Sequence, residues 1–167
     1  MPMKPVPVEQ AMEMAKPERI SLVIGADEAG KPNLMPATWF MRTSGNPPLL
    51  AVSLRKERYT YGLIIARKEF VLALPGPGME KLVSFAGKHS GRKEDKYAAQ
   101  GLVSLPATLI SVPLLDGAAA NFECKVVSFH ESGDHVIVIG EVVAAHSGGT
   151  PSVLIHVGNY EYRAFEI

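Results

Sequence analysis

The chain has 167 residues, 47% hydrophobic and 20% charged, with 17 basic and 17 acidic side chains. That length suits one domain, and the balanced charge leaves no net field to draw nucleic acid or an anionic membrane. A single cysteine, Cys124, excludes an intrachain disulfide and a cysteine-rich metal site.

No run approaches the roughly 18 apolar residues of a membrane span, and the N-terminus has no apolar export segment. The expectation is a soluble protein of the reducing cytoplasm. Residues 1–19 read as an N-terminal arm, with prolines at 2, 5, 7 and 17 and a short helical piece around Val8–Ala15. Residues 20–167 read as the domain. Ile20–Gly25 is an apolar run of strand length, closed by Asp27-Glu-Ala-Gly30, where glycine supplies positive φ. A second strand is predicted over Asn33–Met41; Pro36 within it lacks an N–H and argues for a sheet edge or a bulge.

Leu49–Leu54 is a third strand, followed by the basic segment Arg55-Lys-Glu-Arg58. Thr60 is expected to cap a helix running through Ile64, Ile65 and Arg67. Phe70–Leu74 reads as a strand and Met79–Ala86 as a helix. Residues 87–101 read as a polar stretch. Phe122–His130 and His135–His146 form a hairpin across Glu131-Ser-Gly-Asp134, with Ser152–Val157 and Tyr160–Phe165 as closing strands. Strands outnumber helices and connections are short, which predicts a mainly β fold: a β-barrel with a few helices.

Familiar catalytic patterns are missing. Gly76-Pro-Gly78 holds only two glycines of a dinucleotide fingerprint, and there is no phosphate-binding loop of the G-x-x-x-x-G-K type. The five histidines show no HxH or HxxxH pair, so no metal site is expected, and no G-x-S-x-G elbow occurs. The informative segment is Ser53-Leu-Arg-Lys-Glu-Arg-Tyr-Thr60, which leaves a strand, sets three cations within four residues and enters a helix. Guanidinium forks, hydroxyls and helix N-terminal N–H groups together suit a phosphate monoester. On charge alone, a solvated basic turn is the better reading.

Residues 52–64, Val-Ser-Leu-Arg-Lys-Glu-Arg-Tyr-Thr-Tyr-Gly-Leu-Ile, closely resemble a stretch of the flavoredoxins, within the flavin reductase-like proteins of the FMN-binding split-barrel fold. Gly30–Trp39, Ser44–Pro48, Ser90–Tyr97 with Gly101-Leu102, and Phe122–Cys124 with Gly133–His135 and Gly140–Val142 resemble further family segments in the same order. The resemblance implies a homodimer of split barrels holding FMN noncovalently. It implies that Arg55, Lys56, Arg58 and Thr60 hold the phosphate and that Ser53 and Leu54 flank the ribityl chain or ring edge. Ala37, Thr38 and Trp39 would border the ring, and Ser90, Gly91 and Lys96 would approach it from their loop. Pro36 stands where the family often has threonine, which removes a hydroxyl and an N–H at the ring edge.

The same resemblance brings His135 near the ring's reactive side, to touch a nicotinamide or supply a proton, as the candidate catalytic residue. Lys96, by default a solvated lysine, would be a cation at the ring edge that tunes its potential. His156 reads as a satisfied barrel residue, Cys124 as a small buried hydrophobe rather than a redox thiol, and Tyr97, Tyr160 and Tyr162 as interface packing. Three functions follow: an NAD(P)H:flavin oxidoreductase, a flavoredoxin-like electron carrier with a redox protein partner, or a non-catalytic FMN-binding module.

Overall fold

The computed structural model describes residues 3–167; Met1 and Pro2, the first residues of the predicted arm, lie outside them. Helix α1 (Val8–Glu13) buries none of its residues, and β1 (Glu18–Arg19) follows it. Then come β2 (Ser21–Ala26), β3 (Pro32–Ala37), β4 (Phe40–Gly45), β5 (Pro48–Leu54), α2 (Tyr59–Arg67), β6 (Glu69–Leu74), α3 (Glu80–Lys88) and α4 (Lys96–Gln100). The short β7 (Ser104–Leu105) and β8 (Leu114–Leu115) precede the long β9 (Ala120–Ser132) and β10 (His135–Ser147), and β11 (Ser152–Gly158) and β12 (Glu161–Glu166) close the chain. Among the described residues, no helix is long and apolar enough to cross a membrane.

Seven strands form one antiparallel sheet in the order β3-β2-β6-β9-β10-β5-β4. Its two outermost strands, β3 and β4, are consecutive in the chain and separated by only Thr38 and Trp39. The two edges must therefore meet, which curls the sheet into a barrel. Ser53 N donates to Trp39 O at 2.9 Å, extending the β4–β5 pairing into this two-residue connection. Pro36 lies on edge strand β3, as its missing N–H requires. The single strand expected over Asn33–Met41 is in fact two strands, because the chain turns at Thr38–Trp39 to cross from one edge to the other.

All six residues of β2 are buried, because both faces of that strand are covered. Val23 joins the barrel interior with Val52, Leu54, Phe70, Leu72, Cys124 and Val138. Leu22 and Ile24 point the other way, into a second core with Leu82, Val83 and Ala86 of α3. This explains why Ile20–Gly25 reads as an unbroken apolar run rather than an alternating one. Gly140 makes room for Phe70: a Cβ there would fall 2.6 Å from Phe70 Cε1.

Three other expectations change. β11 and β12 do not close the barrel; with β1 they form a separate three-stranded sheet. Thr60 is not the cap of α2, which starts one residue before it. The polar stretch 87–101 contains α4, capped by Asp95 Oδ1 accepting from Tyr97 N at 3.0 Å and Ala98 N at 3.1 Å.

Candidate functional site

Strand β5 ends at Leu54, and the Arg55–Arg58 turn, closed by Arg58 N donating to Arg55 O at 3.1 Å, delivers the chain into α2. Arg58 occupies the N-cap position, and no side chain caps the helix. The first N–H groups of α2 are therefore free of a side-chain acceptor. Thr60 is buried in that first turn, its hydroxyl accepting from Asn33 Nδ2 at 2.8 Å. These groups face a chamber of about 330 Å³, lined also by Ser90, Gly91, Arg92 and Lys96. Gly91 is confined: a Cβ would fall 2.1 Å from Asn33 Oδ1 and 2.7 Å from Tyr59 Cδ1.

Lys96 is only 4% exposed, and its Nζ donates to Ala86 O at 2.7 Å and Leu34 O at 2.9 Å. It ties the end of α3 to β3 and satisfies a carbonyl that a helix C-terminus leaves open. Burial, reinforced by the nearby Arg58 charge, lowers its pKa to about 8. This lysine is no solvated side chain, and its ammonium is already engaged by two carbonyls.

A second chamber of about 220 Å³ adjoins the first and shares Met35, Pro36 and Arg58 with it. Trp39 and His135 meet there, ring centroids 4.8 Å apart and planes at 44°. His135 Nδ1 lies 2.6 Å from Asp134 Oδ1, and Arg55 Nη2 lies 3.1 Å from Asp134 Oδ2. The His135 hydrogen bond, with help from the Arg55 charge, lowers the Asp134 pKa.

The two chambers gather nearly all of the expected residues. Ala37, Thr38, Trp39, Ser53, Leu54, Arg55 and His135 line the second; Thr60, Ser90, Gly91 and Lys96 line the first; Arg58 lines both. Lys56 lines neither: its Nζ is 2.6 Å from Glu131 Oε2 on the β9–β10 hairpin. Asn33 and Arg92 belong to the first chamber and were not expected there. Arg92 lies inside the family-like segment Ser90–Tyr97 and Asn33 inside Gly30–Trp39, so both had a local signal; that Asn33 serves Thr60 depends on contact across the fold.

Two residues outside this cleft are also decided. Cys124 is fully buried in the barrel, and burial pushes its pKa up to about 12, as expected of an inert thiol. His156 is not the satisfied barrel residue expected. It lies in the small sheet, its buried Nδ1 has no hydrogen bond, and Glu18 Oε2 is 3.7 Å away.

The model of the flavin reductase like domain matches residues 14–164. An uncharacterized protein of Archaeoglobus fulgidus is 37% identical over 141 residues, 84% of this chain and 78% of that one. The FMN-binding protein from Thermus thermophilus, solved with 1-cyclohex-2-enone bound, is 29% identical with a TM-score of 0.84, covering 98% of this chain and 93% of that one. Flavoredoxin of Desulfovibrio vulgaris (Miyazaki F) is also 29% identical, with a TM-score of 0.83 over 92% of this chain and 89% of that one. A seven-stranded curled sheet, a cationic chamber joined to an aromatic one, and a family match along most of the chain agree: the protein belongs to the flavin reductase like family.

Proposed function

We propose that the protein binds FMN noncovalently and works as an oxidoreductase of the flavin reductase type, with NAD(P)H as electron donor. The observation that carries this reading is the continuity of the two chambers through Met35, Pro36 and Arg58. One end offers cations and an uncapped helix start, which suit a phosphate; the other offers Trp39 and flat β-strand backbone, which suit a planar ring. When bound, FMN supplies two-electron exchange, a chemistry that no side chain of this protein has.

Arg58, Thr60 and the first N–H groups of α2 hold the phosphate, and Gly91 and Ser90 allow the facing loop to come close. Lys56 joins them only by releasing Glu131. Arg55 holds Asp134, and Asp134 in turn orients His135. Ala37, Thr38, Ser53 and Leu54 wall the ring, with Pro36 offering it no donor. Lys96 contributes positive charge to the same cleft. His135 stands beside Trp39, where it touches an incoming nicotinamide or moves a proton.

The first measurement is the absorption of the purified protein and its quenching of added FMN fluorescence. Stopped-flow mixing of the FMN-loaded protein with NADH and with NADPH then reads the donor: fast bleaching supports the reductase. An electron-carrier reading, with a redox protein as partner, is supported by Trp39, which is 53% exposed at the ring end of the cleft. Absence of bleaching, with ready reduction by dithionite or a reduced ferredoxin, selects it. A colourless protein that leaves FMN fluorescence unquenched would overturn both. We read the protein as a cytoplasmic homodimer. The family resemblance supports the dimer, and light scattering tests it.

A further inference from the structure

A third chamber, of about 380 Å³, opens beside the two already described. Pro36 lines all three; Thr38 is shared with the aromatic chamber and Tyr160 with the phosphate chamber. His156, Asn159 and Tyr162 complete its wall, so the small sheet of β1, β11 and β12 meets the barrel seam there. Among the described residues, no Asp, Glu, Lys or Arg lines it. Lys88, 5.0 Å from the Tyr160 ring centroid, lines the phosphate chamber instead. A phosphate needs charge-assisted donors, so this wall suits an uncharged ligand.

Two features of the wall are not explained by folding. His156 Nδ1 is buried without a hydrogen bond and faces Glu18, whose Oε2 is 3.7 Å away. Nε2, across the ring, is therefore the nitrogen offered to the chamber, where it can donate a hydrogen bond or a proton to a carbonyl oxygen. The β11–β12 turn holds Asn159 at φ 48 and Tyr160 at φ 59, both left-handed. Asparagine tolerates that conformation, but at Tyr160 glycine is the relaxed choice. The Tyr160 ring is 59% exposed, so core burial does not offset the strain. Strain kept in an exposed residue at a chamber mouth points to a ligand that uses the ring.

We propose that this chamber is the electron-acceptor site and that it takes a small uncharged quinone. The inference rests on the FMN reading above, which supplies the electrons. The Tyr160 and Tyr162 rings and Pro36 offer flat apolar contact, while Thr38, Asn159 and His156 offer donors to the two carbonyl oxygens. The quinone takes two electrons and one proton from the reduced flavin and a second proton from His156 Nε2. It leaves as the hydroquinone, the flavin is left oxidised, and solvent reprotonates His156.

The probe is duroquinone, which is uncharged and fully substituted. It is titrated calorimetrically into the oxidised, FMN-loaded parent, Tyr160→Gly and His156→Leu proteins, beside FMN quenching and thermal melts. Each variant is expected to bind duroquinone about tenfold more weakly, the worth of one aromatic contact or hydrogen bond, with FMN affinity within about threefold of the parent. Tyr160→Gly should melt no lower than the parent, because it releases the left-handed strain. His156→Gln keeps a donor and should restore the affinity. Anaerobic reoxidation of its dithionite-reduced form by duroquinone should still be about 100-fold slower, because glutamine gives no proton.

A parent that does not bind duroquinone, or parent-like affinity in either Tyr160→Gly or His156→Leu, would overturn the proposal. A loss of FMN affinity as large as the loss for duroquinone would assign the chamber to the flavin itself and overturn it too. A parent-like reoxidation rate in His156→Gln would strike the proton step. If the parent fails to quench FMN, the FMN reading falls separately. Duroquinone titrated into flavin-free parent and variants then still decides whether the chamber binds a quinone.

Discussion

The Trp39 ring lies 4.8 Å from the His135 ring, joining the seam between β3 and β4 to the tip of the β9–β10 hairpin. Two residues 96 positions apart thereby share one chamber wall. Because Trp39 is more than half exposed, its ring contributes little to folding and is available to a planar ligand. Trp39→Ala is expected to weaken FMN binding about tenfold, corresponding to about 1.4 kcal/mol, with the melting temperature almost unchanged. Fluorescence titration beside a thermal melt checks both halves.

His135→Gln keeps a hydrogen-bonding side chain but cannot take up a proton near neutral pH. Flavin affinity should stay near that of the parent, while the NAD(P)H-driven bleaching rate falls about 100-fold if proton movement limits it. A parent-like rate in stopped flow would remove His135 from the chemistry.

Lys96 is expected to make flavin binding pH-dependent. Its pKa of about 8 in the flavin-free protein is set by burial and by Arg58, and an anion in the chamber favours the charged form. Binding then takes up a proton, so FMN affinity falls as pH rises through about 8. The sign for stability is opposite. The folded pKa is below the unfolded one, so the unfolded chain holds more protons in the window between them. Flavin-free stability therefore rises from about pH 8 toward the unfolded value, about 10.4. Lys96→Met should flatten both profiles, measured by quenching titrations and urea melts at several pH values.

Glu123 is fully buried and accepts from Thr108 N, Leu109 N and His146 Nε2, each at 2.7 Å. Burial works against its charge, but these donors outweigh it and hold the pKa below the ordinary carboxylate range. A depressed carboxylate contributes stability above its unfolded pKa, about 4.3, and loses it as pH falls through the folded value. Glu123→Gln should cost about 3 kcal/mol at pH 7, with the gap to the parent narrowing below about pH 4. Urea denaturation at the two pH values reads the difference.

Two glycines separate packing from binding. Gly140→Ala drives a methyl toward Phe70 and should cost about 1 to 3 kcal/mol, while the folded fraction still binds flavin. Gly91→Ala collides with Asn33 at the chamber wall, so it should abolish most FMN quenching at a smaller loss of stability. Melting and quenching measured together distinguish the two.

Much of this was legible locally. Residues 53–60 announce a phosphate-suited turn because strand end, cations and helix start are contiguous. Pro36 announces a sheet edge because its missing N–H is a property of the residue alone. Asp95 and Gly101 bracket α4 as N-cap and left-handed C-cap and were readable as such, although the charged residues around them mask the helix. Other features were not local. Thr60 has the chemistry of a cap, yet it serves Asn33, because the hydroxyl was claimed by a partner 27 residues away. Lys56 and Arg58 look equivalent in sequence, but Glu131 on the hairpin takes one and leaves the other.

Sequence by itself determined the mainly β fold, the family resemblance and the cations of the Arg55–Arg58 turn, since these follow from period, turn chemistry and residue type. Tertiary structure decided which groups meet. Curling the sheet brought Thr38 and Trp39 to the seam beside His135, and docking α3 and α4 against β3 buried Lys96. Those outcomes depend on contacts between distant segments, where burial and competition for a single partner, rather than local propensity, set each side chain's role.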